Sequence, residues 1–347
     1  MRLSVLDLLM VRSGQSTSDA VRASHELALL ADRLGYTRFW VAEHHNMPAV
    51  ASTAPSVLIP YLAAGTEQIR FGSGGVMLPN HTATVVAEQF ALLEAMLPGR
   101  IDLGIGRAPG SDPVTSYLVR GGRTEGAEDF DTDVTLLTHL LGIAGAPGDA
   151  TRLTIAGHVL DVQATPRATT SPDLWLLGSS GYSAQLAADR GLPYVFANHF
   201  GMPGIEDALA LYRQSYRPSA RYPEPRTILP VNVAVHPEAD VAEELVQPQL
   251  INMALLRTGS PLLPLRTLEE ARAHAWTPAQ REVADRMRER YFVGTPAGVA
   301  AALRARADEL GVDEVMVAPI WGASEAEDPA SPGSRARTLE LLAAELL

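Results

Sequence analysis

Short apolar runs recur along this chain at intervals that a helix fills, and this alternation constrains the fold more than any single motif does. The runs are Leu3 to Leu8, Phe39 to Ala42, Ile69 to Leu78, Ile101 to Ile105, Leu174 to Leu177, Tyr194 to Ala197, Ile228 to Val235 and Glu314 to Ala318. Each reads as a strand buried on both faces and bounded by turn residues. Between them, apolar residues fall at helical spacing: Leu27, Leu30, Ala31 and Leu34 before Gly35, then Val86, Phe90, Leu93 and Leu97 before Pro98, then Val299, Leu303, Ala307 and Leu310 before Gly311. Strands and helices alternating eight times over one continuous chain give the α/β class and the count of a (β/α)8 TIM barrel. The 347 residues exceed the typical ~250 by what insertions supply.

The same pattern predicts one domain over 1–347 with two insertions. Leu153 to Ala164 alternates around a turn at Ala156 and Gly157 and reads as an excursion hairpin near 153–164. The stretch near 240–291 holds no strand and reads as a lid-like insertion or an oligomer contact. Ser18 or Asp19 is the expected cap of the first helix, Pro248, Pro261 and Pro264 read as breakers, and a further helix is expected from about Gly126 to Leu141.

Composition removes whole classes of chemistry. Cysteine is absent, which excludes disulfides, thiolate nucleophiles and iron–sulfur clusters. All 28 basic residues are Arg, so Schiff-base enzymes, pyridoxal phosphate enzymes and Walker-type loops are excluded, because each needs an amine. Any anion must be held by Arg, hydroxyls or backbone N–H groups. A formal charge of −12 argues against nucleic acid or an anionic membrane as partner. No apolar run reaches the ~18 residues of a spanning helix, and the first residues carry no long apolar region with a cleavage site, so a cytoplasmic location is expected.

Polar residues collect where the strands end, which is where a barrel mounts its reacting groups. After Phe39 to Ala42 come Glu43, His44, His45 and Asn46. Side chains alternate along a strand, so one imidazole can face the mouth while its neighbour is structural. The third strand contains Gly74 and Gly75, which mark either a ligand lying against the backbone or a tight spot among barrel side chains. The fourth runs into Arg107, a fixed cation suited to phosphate; a surface ion pair is the alternative. The fifth ends in Gly178, Ser179, Ser180, Gly181, Tyr182 and Ser183 before a helix. That turn offers free N–H groups and three seryl hydroxyls, more than a helix cap uses.

Taken together, VAEHHN, FGSGGVMLP, DLGIGRAPG and LLGSSGYSAQLAADRGLP, with the late GTPAGVAAALRARADELGVDEV, resemble the bacterial luciferase-like flavin-dependent monooxygenases over nearly the whole chain. The resemblance implies FMN, bound reduced, that reacts with O2 through a flavin hydroperoxide and oxygenates a small organic substrate. It makes His44 the catalytic histidine and Gly74–Gly75 a non-prolyl cis peptide against the flavin ring. Arg107, Ser180 and Ser183 match phosphate-binding positions, Ser179 and Gly181 flank them, Glu43 and Tyr182 fall at the cofactor, and Arg123 matches a second phosphate Arg. It also implies a homodimer and a separate NAD(P)H:flavin reductase. Gly106 stands where light-emitting subunits carry cysteine, so bioluminescence is not implied, and Leu255 to Arg290 keeps the length but little of the sequence.

Two other readings stay open. One is an F420-dependent oxidoreductase of the same superfamily, which would transfer hydride without O2; the other is a flavin-binding protein without catalysis. A metal hydrolase ranks below these, because Glu43, His44 and His45 are consecutive and cannot converge on one ion. No metal site is therefore expected.

Overall fold

The computed structural model describes residues 1–122, 129–143 and 151–347; Arg123 and the first residues of the helix expected from Gly126 lie outside the described residues. The chain opens β1 (Arg2–Asp7), α1 (Thr17–Arg33), β2 (Arg38–Val41), α2 (Pro55–Ala63), β3 (Arg70–Met77), α3 (Ala83–Met96) and β4 (Ile101–Gly106). Helices α4 (Pro113–Val119) and α5 (Phe130–Leu140) precede a hairpin of β5 (Thr151–Ile155) and β6 (His158–Val162). The alternation resumes with β7 (Asp173–Gly178), α6 (Gly181–Arg190), β8 (Tyr194–Phe196), α7 (Ile205–Ser215) and β9 (Thr227–Val235). Four helices follow with no strand between them: α8 (Ala239–Leu245), α9 (Gln247–Arg257), α10 (Leu268–Arg272) and α11 (Pro278–Arg288). The chain then runs through β10 (Phe292–Gly294), α12 (Pro296–Leu310), β11 (Glu314–Pro319) and α13 (Gly333–Leu346).

Strands β1, β2, β3, β4, β7, β8, β9 and β11 are parallel and neighbour one another in that cyclic order, β8 pairing with β9 and β11 with β1. The result is a closed eight-stranded barrel of the (β/α)8 type. The hairpin turns at Ala156 and Gly157, both at positive φ.

Local chemistry moves some of the expected boundaries. Helix α1 is capped by Ser16, whose side chain accepts from Asp19 N–H while Asp19 returns the bond, a reciprocal box that displaces Ser18 and Asp19 from the cap. Helix α9 forms across Pro248, because proline in a first turn removes only an N–H that has no intrahelical partner. Helix α4 starts at Pro113 under an Asp112 cap. Strand β10 extends the upper half of β9 and is too short to show any periodicity.

Inside the barrel the lower half is filled. Arg38 Nε donates to Glu314 Oε1 at 2.6 Å and its Nη1 to Asp102 Oδ2 at 2.7 Å, while Ser4 Oγ donates to Glu314 Oε1 at 2.6 Å. Asp102 also accepts from Arg70 at 2.6 Å and from Trp40 Nε1 at 2.9 Å. Each of these buried charges has opposite charge and hydrogen bonds, which is the condition for tolerating them out of water. Above them Trp40 meets Trp175 edge-on at 5.6 Å, packed with Leu6, Val195, Ile228 and Met316. The glycines of β3 make room for this layer: a Cβ on Gly72 would sit 2.7 Å from Trp40 Nε1, and one on Gly74 would sit 3.0 Å from both Leu6 and Trp40. The floor is thus closed, and the C-terminal end of the strands is the end left for chemistry.

Candidate functional site at the barrel mouth

The β2 end separates its two histidines as strand alternation requires. His45 Nε2 donates to Glu43 Oε1 at 2.8 Å, and His45 is structural. The imidazole of His44 is 8% exposed, its Nδ1 has no hydrogen-bond partner, and it lies edge-on to Phe200 at 6.3 Å. Burial, only partly opposed by the Glu43 carboxylate, lowers its pKa to about 4, so the ring is neutral at ordinary pH and offers one lone pair and one N–H.

Glu43, expected beside the cofactor, has its carboxylate engaged within the protein. Both oxygens are taken by the protein: His45 and His81 Nε2 donate at 2.8 and 2.9 Å, Asn80 Nδ2 at 3.2 Å and the Met77 N–H at 2.9 Å. Burial alone would raise the pKa, but the hydrogen bonds from His45 and His81 outweigh it and hold the group at about 2. Glu43 therefore ties the β2 end to the turn after β3. The loop after β4 joins the same knot, since Asn80 also donates to Pro109 O at 3.0 Å and His45 N–H to Gly110 O at 3.4 Å.

Gly74 and Gly75 are joined by a cis peptide bond. A Cβ on Gly75 would lie 2.8 Å from Gly104 O, so for both glycines the tight-spot reading is met by barrel packing.

At the β4 end Arg107 has no salt bridge and no hydrogen bond among the described residues; its guanidinium lies 4.1 Å from the centre of the Tyr182 ring. Tyr182 belongs to the first turn of α6, which begins at Gly181, three residues earlier than expected. Ser180 occupies the N-cap without a side-chain hydrogen bond into the helix, and Ser179, Ser180, Gly181 and Tyr182 are exposed. Ser183 is buried, its hydroxyl close over Gly178, where a Cβ would be 2.3 Å away. The helix N-terminus is thus open, with its N–H groups unsatisfied by any cap, next to an unpaired cation. That is the donor set of an anion site.

The β8 end brings a residue whose role the sequence reading missed, His199, in the 3-10 turn Asn198–Phe200. Its ring packs on Phe200 at 4.1 Å and its Nδ1 is buried without a partner. The signal was available, because it follows a strand as His44 does. No group of three metal-ligating side chains occurs among the described residues, and among them no helix is long and apolar enough to cross a membrane.

Comparison with known proteins agrees with this geometry. A family model described as luciferase-like monooxygenase matches residues 1–314. A luciferase-like monooxygenase of Escherichia coli (strain K12) is 40% identical over 317 residues, covering 90% of each chain. The N-acetyl-S-alkylcysteine monooxygenase of Bacillus subtilis (strain 168) is 35% identical over 258 residues, 73% of this chain and 74% of that one. Among solved structures, apo-MsnO8 is similar with a TM-score of 0.82 at 32% identity, covering 99% of this chain and 98% of the other. With its barrel, its order of strand-end motifs and a match spanning most of its length, the chain belongs to the luciferase-like monooxygenase family.

Proposed function

We propose that this protein is a monooxygenase that takes reduced FMN from a separate NAD(P)H:flavin reductase and uses O2 to oxygenate a small organic substrate in the cytoplasm. The observation that carries the reading is the unpaired Arg107 beside the uncapped start of α6. Arg107, the hydroxyls of Ser179, Ser180 and Ser183, and the N–H groups of Gly181 and Tyr182 hold the phosphate without lysine. Reduced flavin, when bound, supplies the electrons that activate O2.

The remaining roles belong to the protein's own groups. The Gly74–Gly75 backbone faces the ring system, and His44 holds or passes a proton at its reactive edge through the unpartnered Nδ1. Glu43 acts as a brace that fixes the loop carrying His44. Residues 240–291, with helices α8 to α11, keep water from the mouth. The working unit is a homodimer through α2 and α3, which present Val57, Tyr61, Val85, Leu92 and Met96 to solvent at helical spacing.

Thermal unfolding with each cofactor tests the assignment, because a ligand that binds the native state raises the midpoint. Reduced FMN is expected to give the larger rise; a larger rise with F420 would move the protein to hydride transfer without O2. Oxygen uptake with a supplied flavin reductase then separates an enzyme from a flavin carrier.

A further inference from the structure

His44 and His199 reach the mouth from different strands, β2 and β8, and the Phe200 ring is in contact with both. Each has a buried Nδ1 that no protein group satisfies. A buried polar atom left unpaired is costly, so two of them beside one aromatic ring are an arrangement that a bound molecule would complete.

The turn that carries His199 is held on several sides. Asn232 Nδ2 on β9 donates to His199 O at 2.7 Å, and Asn198 Nδ2 donates to Pro230 O at 3.0 Å. Arg257 at the end of α9 donates to Phe200 O at 2.7 Å, and Arg290, just beyond α11, donates to Gly201 O at 2.5 Å. These last two clamps come from the long insertion, so the stretch with the least recognisable sequence is the one that sets where Phe200 and His199 sit. Phe200 is 37% exposed, and Met202 and Leu256 beside the clamps are exposed as well.

We propose that His199 is a second substrate-binding imidazole, that with His44 it grips one hydroxyl group of an otherwise apolar substrate laid on Phe200, and that Arg257 and Arg290 are positioning residues for it. Two neutral imidazoles supply one donor and one acceptor to such a group. Burial holds both rings neutral, His44 at about 4 and His199 at about 3, so neither imidazole offers a cation to a carboxylate, and the nearby guanidinium groups of Arg257 and Arg290 are engaged by Phe200 O and Gly201 O. The charged or titratable groups around the pair are Glu43 and His45 beside His44, His44 itself facing His199, and Arg257 and Arg290 on the carbonyls of Phe200 and Gly201. The inference rests on the mouth being the reaction site, as proposed above.

The test is calorimetric binding of 1-octanol and of octanoate, with and without oxidised FMN, to the wild type and to His199→Leu, His199→Asn, His44→Leu and Arg257→Met. Expected are octanol binding to the wild type, at least tenfold weaker binding to either Leu variant, recovery in His199→Asn, an intermediate loss in Arg257→Met, and no measurable octanoate binding. Unchanged octanol affinity in His199→Leu, no octanol binding to the wild type, or octanoate binding as well as octanol overturns the proposal. FMN affinity measured on the same samples guards against misfolding. If FMN binding instead ignores Arg107→Gln, the mouth assignment itself has failed.

Discussion

The guanidinium of Arg107 lies over Tyr182, 4.1 Å from the ring centre, with no carboxylate partner among the described residues. A cation parked on an aromatic face keeps its donors free along the ring edge, whereas an ion pair would have spent them. Replacing Arg107 with Gln should weaken FMN binding by about 10- to 150-fold, since a charge-assisted bond to phosphate is worth roughly 1.5–3 kcal/mol. Tyr182→Leu should cost only about threefold, the scale of an exposed cation–π contact at ~0.5–1 kcal/mol. Flavin fluorescence quenching reads both, and equal effects would contradict the division of roles.

His44→Gln should leave FMN affinity within about twofold and lower turnover by about 100-fold or more, because positioned proton transfer contributes 10²–10⁴. The measurement is substrate-dependent oxygen uptake alongside flavin binding. Retained turnover would remove His44 from the chemistry.

Stability should fall as the solution is acidified from pH 7 to 4. The folded-state pKa of His44 is lowered from 6.5 to about 4 by burial, so its neutral form is native and the unfolded chain takes up the proton first. Its contribution is complete above pH 6.5 and is lost as pH drops towards 4, a loss on the order of 3 kcal/mol. Glu43, lowered from 4.5 to about 2, acts in the same direction further down, its contribution being lost as pH falls from 4.5 towards 2. Urea unfolding at pH 7, 6, 5 and 4.5 should give a slope that His44→Gln makes shallower; identical slopes would show that the imidazole is not buried neutral.

Glu43→Gln should destabilise the fold by about 2–3 kcal/mol, because a buried acceptor of four donors loses its charge and half its capacity. His81→Ala should cost about 1 kcal/mol by removing one donor. Denaturant midpoints check both. A neutral Glu43→Gln would mean that the knot does not hold the loops.

Leu92→Glu and Tyr61→Glu should convert a dimer to a monomer in light-scattering measurements, since each places charge in the exposed apolar rows of α2 and α3. A wild type that is already monomeric at micromolar concentration would remove this surface from consideration.

The barrel was legible because its strands are buried on both faces and so read as unbroken apolar runs between helices. The strand-end positions of Arg107, His44 and the seryl turn were legible because each directly follows such a run. The partners of Glu43 were not, because Asn80 and His81, which bond its oxygens, follow a different strand, and no spacing in the sequence joins them. The glycines of β3 carried two explanations that only the positions of Trp40 and the Gly104 carbonyl could weigh. Helix α9 was hidden by Pro248, a residue that breaks helices in their middle and starts them at their ends.

The salt-bridged base formed by Arg38, Asp102 and Glu314 turns the barrel into a vessel with one opening. Traffic through a blind-ended vessel has to queue: whatever settles deepest must arrive before, and depart after, whatever lies above it. Evolution can therefore exchange the rim for new cargo while leaving the base, and the order of arrivals it dictates, untouched.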